Sequence, residues 1–190
     1  SIEDYGKAID LDTTLEAAYF ERGQIFRAQN QYSKALTDFE WCIEQHFKPA
    51  WAMLWAGECF YTLGDLEKAE VQYTRLLEID PESNPALTGL GKVAYMQNDY
   101  PTAIDLFSKA FAYEDNYECL NWRGTVRYLS GDYQGALEDY LFCIEQDPPE
   151  PWEYLQRCCN CYDALGQYEK AKDSLDEVFE LGHGSKELTS

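Results

Sequence analysis

Cys158, Cys159 and Cys161 are the tightest grouping of residues that could do chemistry in this chain. Two thiols three positions apart share one helix face, a spacing used by metal sites and by thiol redox pairs. Such sites take their remaining ligands from a second segment. Here Cys42, Cys59, Cys119 and Cys143 are scattered singly, and His46 and His183 both fall in turn-like sequence. The scattered thiols also occupy apolar columns. Cys42 and Cys143 align with Ala8 and Ala110, while Cys59 and Cys161 directly precede the aromatics Phe60 and Tyr162. Read this way, the seven cysteines are small buried hydrophobes. Their compartment is then reducing and cytoplasmic, and neither a metal nor any other cofactor is expected.

No catalytic constellation emerges. The chain has no glycine-rich phosphate loop after a strand, no nucleophile elbow and no His-Glu-x-x-His. With 35 acidic residues, paired carboxylates at helical spacing arise by number alone. The chemistry on offer is recognition rather than turnover, so the chain is expected not to be an enzyme. Trp55 and Trp122 stand in matching places, each two residues before a glycine, with tyrosines and a few cations nearby.

A repeat must position these residues. Glycine recurs at Gly23, Gly57, Gly91 and Gly124, with Cys159 in the fifth place, at gaps of 34, 34, 33 and 35 residues. Twelve residues after each comes an alanine: Ala35, Ala69, Ala103, Ala136 and Ala171. A large apolar residue follows four further on: Phe39, Tyr73, Phe107, Tyr140 and Leu175. Within a unit the apolar positions recur every three or four residues, first at Met53, Ala56, Gly57, Phe60 and Tyr61, then at Leu66, Ala69, Tyr73, Leu76 and Leu77. That is two amphipathic helices. Leu63-Gly64-Asp65 stops the first; the equivalent stops are Asn30-Gln31, Asn98-Asp99, Gly131-Asp132 and Gly166-Gln167. Pro81 lies past the end of the second. The small residues are expected where two helix backbones cross. One such hairpin cannot bury its apolar faces alone, so neighbours stack into an all-α solenoid.

The glycine, alanine and ring columns, with turn residues at Pro81, Asp115 and Pro148, resemble the tetratricopeptide repeat family. The resemblance implies a right-handed superhelical solenoid of helix-turn-helix repeats. It gives one array over 1–190: a half repeat at 1–15, full repeats at 16–49, 50–83, 84–116, 117–151 and 152–185, and a tail at 186–190. The opening in mid-repeat, with no polar capping helix after Leu181, is expected of a piece of a longer protein or of an array whose end stacks on something.

The resemblance also implies that first helices line an inner groove. The residues expected there are Glu21, Gln24 and Arg27; then Trp51, Leu54, Trp55, Glu58 and Tyr61. Thr88, Lys92 and Tyr95 follow, then Asn121, Trp122, Thr125 and Tyr128. The fifth repeat offers Gln156, Arg157, Asn160 and Asp163. Aromatics with interspersed cations and amides suit a peptide segment or partner subunit, with Lys92 placed to meet an acceptor or carboxylate. The competing expectation is that Trp55 and Trp122 wedge into the core and the array is architectural, meeting partners by its ends or convex face. The carboxylate clamp by which some family members hold chaperone tails is not reproduced. Its places hold Phe20 and Gln24, then Trp55, then Pro85 and Gly89, and no shift of register restores it. The inner asparagine ladder is absent too, its column reading Glu21, Trp55, Gly89, Trp122 and Arg157.

The formal charge of −20 narrows the partners. Nucleic acid requires clustered cations, and an anionic membrane would repel the chain, so neither is expected as a partner. A basic or net-positive protein would be steered inward. The stretch 128–156 carries seven acids and no lysine or arginine, and Glu138, Asp139 and Glu145 are expected to do that steering. No apolar run is long enough to span a bilayer.

Overall fold

A computed structural model describes residues 1–113, 117–146, 148 and 150–176. Among these residues the regular elements are all helices. The chain divides into two compact units, Ser1–Gln97 and Asn98–Ser190. The first holds α1 (Ile2–Leu11), α2 (Glu16–Ala28), α3 (Tyr32–Glu44), α4 (Pro49–Leu63), α5 (Leu66–Ile79) and α6 (Asn84–Met96). The second holds α7 (Tyr100–Tyr113), α8 (Tyr117–Leu129), α9 (Tyr133–Glu145), α10 (Pro151–Ala164) and a helical stretch at 168–176. Within each unit the helices pack chiefly on their chain neighbours, with added contacts of α4 to α2 and to α6. The all-α helical-repeat reading therefore holds.

Each expected first-helix stop takes the left-handed conformation: Asn30 (φ 59°), Gly64 (81°), Asn98 (62°), Gly131 (88°) and Gly166 (71°). The next amide then reaches back five residues, from Gln31 to Phe26 O at 2.8 Å, from Asp65 to Phe60 O at 2.9 Å and from Asp132 to Arg127 O at 2.9 Å. This satisfies carbonyls that the helix end leaves open. The second helix restarts at once on an aspartate cap: Asp65 accepts from Lys68 N, Asp99 from Thr102 N and Asp132 from Gly135 N. His46 lies in a turn with φ 57°. Asp115, Leu181, His183 and the tail 186–190 lie outside the described residues.

The alanine column is buried from Ala35 to Ala171, and the rings of Phe39, Tyr73, Phe107 and Tyr140 are buried with it. Leu175 departs: it is 52% exposed, and Ser174 turns inward instead. The glycine column works differently from the expected backbone crossing. A β-carbon on Gly57 would lie 2.6 Å from Tyr73 Cε1, and one on Gly23 2.9 Å from Phe39 Cε1. One on Gly124 would lie 2.8 Å from Tyr140 Cε1. The glycine makes room for the second-helix ring, not for the helix backbone. Tyr73 is held from two sides, because Gly89 of the following repeat closes on the same ring.

All seven cysteines are free thiols and buried. Burial pushes the Cys42, Cys143 and Cys158 thiols up to about 12 and those of Cys59 and Cys161 to about 11. Among the described residues no helix is long and apolar enough to cross a membrane.

Candidate protein-interaction site

In the first unit, α2 and α4 bring together most of the recognition residues expected there. Trp51 and Trp55, one turn apart on α4, stack with ring centroids 5.9 Å apart. The Arg27 guanidinium of α2 lies 4.0 Å from the Trp55 ring centroid, a cation–π contact. Its Nη1 donates to Glu58 Oε2 at 3.0 Å. The result is a continuous row: Trp51, Trp55, Arg27, Glu58. Beside it lies an open depression of about 360 Å³ lined by Phe20, Gln24, Lys48, Trp51 and Trp55. Trp51 is 55% exposed, and Gln24 and Trp55 are half-buried. Farther along α4, Tyr61 is half-buried; burial first, then the nearby Tyr95 of α6, pushes its phenol up. Lys92 and Tyr95 are half-buried on α6. Leu54 and Thr88 do not reach this surface. They are 6% and 4% exposed and belong to the core.

Lys48 and Phe20 were not expected among the candidate residues. Lys48 takes a left-handed backbone (φ 44°) immediately before Pro49, which opens α4. That conformation lays its ammonium 4.5 Å from the Phe20 ring centroid and 4.0 Å from Glu21 Oε1. A lysine before a helix-opening proline was a legible signal of the turn, but its direction depends on φ.

In the second unit, Asn121, Trp122, Thr125 and Tyr128 are half-buried along α8. Trp122 stacks on the buried Phe107 ring, with centroids 6.4 Å apart. In the last three repeats the residue two before the column position meets the preceding repeat's ring. Gly89 does so against Tyr73, Trp122 against Phe107 and Arg157 over Tyr140 at 5.7 Å. Thr125 Oγ1 donates to Asn121 O at 2.8 Å and accepts from Tyr140 and Arg157 at 3.3 and 3.1 Å. The Tyr128 ring meets Tyr133 edge-on at 5.2 Å.

Three ion pairs on two buried aspartates hold these first helices on their second helices. Arg22 grips Asp38 through Nε at 2.9 Å and Nη2 at 2.7 Å. The bonds to Asp38 push the Arg22 guanidinium further toward its charged form. Arg123 grips Asp139 through Nε and Nη2, and Arg127 adds Nη1 at 3.0 Å. Asp38 and Asp139 are 1% and 3% exposed. Asp139 is therefore no part of an acidic steering surface, because two arginines draw it inside. The sequence held the signal: in both units an arginine before the glycine and an aspartate before the ring lie sixteen residues apart.

The sequence profile of the tetratricopeptide repeat matches residues 20–84, 71–117 and 88–151. A second profile of the same repeat matches residues 160–181. The chain belongs to the tetratricopeptide repeat family. Among curated relatives of this repeat, anaphase-promoting complex subunit 3 of Schizosaccharomyces pombe is 26% identical over 132 residues, covering 69% of this chain and 20% of that protein. Heat shock protein STI1 of Saccharomyces cerevisiae is 30% identical over 114 residues, covering 55% of this chain and 19% of that protein. The chain spans about a fifth of the length of either relative. Among solved structures, MamA superposes with TM-score 0.79 at 18% identity, over 92% of this chain and 96% of that one. YrrB, described as a TPR protein with an unusual peptide-binding site, gives TM-score 0.72 at 20% identity over 95% and 93%. At such identities the likeness is one of fold.

Proposed function

We propose that this tetratricopeptide repeat chain is a protein-interaction scaffold that binds a peptide segment or partner subunit across its aromatic first helices. The observation that carries the reading is the row of Trp51, Trp55, Arg27 and Glu58 beside the depression lined by Phe20, Gln24 and Lys48. Aromatic and arginine side chains dominate binding energies where a partner desolvates them. Trp51 offers a large exposed ring, and Trp55 is already oriented by Arg27, so little ordering cost remains on binding. The naming of a peptide-binding site in YrrB, and of a complex subunit in the Schizosaccharomyces pombe relative, is in keeping with a binding role. Repeat matches that run through residue 97 without a break support treating 1–190 as one array. Lys92 and Tyr95 extend the proposed surface within the first unit, and Asn121, Trp122, Thr125 and Tyr128 are proposed as the binding residues of the second.

The formal charge of −20 favours a basic or net-positive partner, because long-range fields set encounter rates. The free, buried thiols support a reducing, cytoplasmic setting. A second reading, architectural contact by other faces, draws on Leu141 and Phe142, both 37% exposed on the second helix α9.

The test is a quantitative comparison of partners captured by the wild-type chain and by Trp51→Ala and Trp55→Ala, followed by calorimetric titration of the captured partner. Either substitution is expected to weaken binding at least about tenfold with helix content unchanged. Wild-type affinity in both variants, with loss in Phe142→Ala, would transfer the function to α9.

A further inference from the structure

The two residues that follow the buried ring of a second helix are polar in α5 (Thr74 and Arg75) and in α7 (Ser108 and Lys109). In α3 they are the exposed Glu40 and Trp41, whose ring stacks on Tyr19 with centroids 3.9 Å apart. α9 breaks this pattern with Leu141 and Phe142, each 37% exposed. Phe142 meets the half-buried Phe111 of α7 edge-on at 5.5 Å, and the Arg123 guanidinium lies 5.7 Å from the Phe111 centroid. The Phe142 ring is thereby held in place while part of it stays open to solvent.

Carboxylates flank the pair. Glu138, Leu141, Phe142 and Glu145 stand at i, i+3, i+4 and i+7, so one stripe of α9 runs acid, two apolar residues, acid. Glu138 and Glu145 are both exposed, and seven residues of helix set them about 10 Å apart along the axis. Glu138 accepts from the neutral amide of Gln134 at 3.2 Å. The cations of the flanking helices are engaged elsewhere: Lys109 of α7 with Asp105, and Arg123 and Arg127 of α8 with Asp139. Among the described residues no cation pairs with Glu138 or Glu145.

We propose that this stripe of α9 docks a basic amphipathic helix, whose two adjacent apolar residues cover Leu141 and Phe142 and whose Lys or Arg, three residues to either side, meet Glu138 and Glu145. The proposal rests on the second reading above, contact by α9, and gives that contact its partner class; it is independent of the aromatic row of the first unit. The period decides for a helix. A stripe at i, i+3, i+4 and i+7 is complemented by a second helix with the same spacing and opposite charges, packed alongside. Charge decides against a second copy of this chain, because docking two chains of −20 each brings like charges together. Burial of Leu141 and Phe142 holds the helix, and the two carboxylates steer its approach and set its register.

The full chain, labelled with 15N, is titrated with three alanine-based helical peptides while its backbone amides are followed. One carries Lys-Ala-Ala-Leu-Leu-Ala-Ala-Lys, the second has glutamates in place of the lysines, and the third has serines in place of the leucines. The first is expected to shift the amides of Gln134 to Glu145 saturably, and the other two to bind at least about tenfold more weakly. Glu138→Gln with Glu145→Gln should weaken the first peptide and flatten its salt dependence. Phe142→Ser should weaken it at least about tenfold, and so should Leu141→Ser, which leaves the Phe111 contact intact and keeps the helix content unchanged. Trp51→Ala should leave the titration as it is, so failure of the aromatic surface and failure of this stripe are separately visible. Equal binding of the glutamate peptide or of the serine peptide at α9 would overturn the basic amphipathic partner and leave the α9 contact standing. No response at α9 to any of the three would overturn both. Self-association of the chain that Leu141→Ser abolishes would put a second copy there instead.

Discussion

The α2–α3 and α8–α9 hairpins bury an arginine–aspartate pair at the same register, yet solve the charge differently. In the first, one arginine meets Asp38, and Arg27, five residues on, turns away to Trp55 and Glu58. In the second, Arg127, four residues on, joins Arg123 on Asp139. The second arginine of one unit orders an aromatic surface; that of the other fixes the hairpin. The same repeat can therefore carry a recognition surface or an internal clamp, depending on whether that arginine stands four residues past the glycine, as Arg27 does, or three, as Arg127 does.

The largest expected effect tests that difference directly. Removing one member of a buried ion pair strands the other and typically costs ~3–5 kcal/mol. Asp139→Ala strands two guanidiniums and Asp38→Ala one, so chemical denaturation should show the greater loss for Asp139→Ala. Equal losses, or the reverse order, would mean that Arg127 contributes nothing to the clamp.

Alkaline pH should separate the units next. Cys143 and Cys158 of the second unit and Cys42 of the first have thiols raised by burial from about 9 to about 12. The raised folded value means that the stabilisation is complete below the unfolded value near 9 and is lost as pH climbs toward 12. Each thiol contributes a slope of at most about 1.4 kcal/mol per pH unit in that window. Hydrogen exchange at pH 9 to 11 should find the second unit weakening faster, and Cys143→Ala with Cys158→Ala should flatten its slope. Equal slopes before and after the substitutions would remove the thiols from the account.

The glycine column gives a smaller contrast. A methyl group at Gly57 meets a Tyr73 ring that Gly89 blocks from behind, whereas the ring against Gly124 is Tyr140, which borders an open cleft shared with Thr125, Tyr128 and Arg157. Gly57→Ala should cost about 1–3 kcal/mol through overpacking, and Gly124→Ala less, as read from melting curves. The smallest effect concerns the tryptophans. Trp122 is stacked on core Phe107 and Trp51 is 55% exposed. Trp122→Ala should therefore lower the melting temperature and Trp51→Ala should not. A stable Trp122→Ala would mean that its stacking on Phe107 adds nothing to the fold.

The sequence alone determined the helices, their order and the conformation at their ends. Those features depend on local rules: period, a left-handed asparagine or glycine, and an aspartate cap. Asn30, Gly64, Asn98, Gly131 and Gly166 are all where the pattern puts them. The buried alanine and ring columns were legible for the same reason, down to the last repeat, where Leu175 lies outside the core and Ser174 within it. Only the tertiary structure decided what the polar residues do. Asp139 reads as a surface acid until Arg123 and Arg127 arrive from the neighbouring helix, and Leu54 and Thr88 read as groove residues until their neighbours bury them. Lys48 enters a site because a left-handed φ swings it over Phe20. A helix propensity is written within a few residues of chain; the partner of a charge comes from a segment a dozen or more residues away, and a one-dimensional pattern does not say which charge will find it.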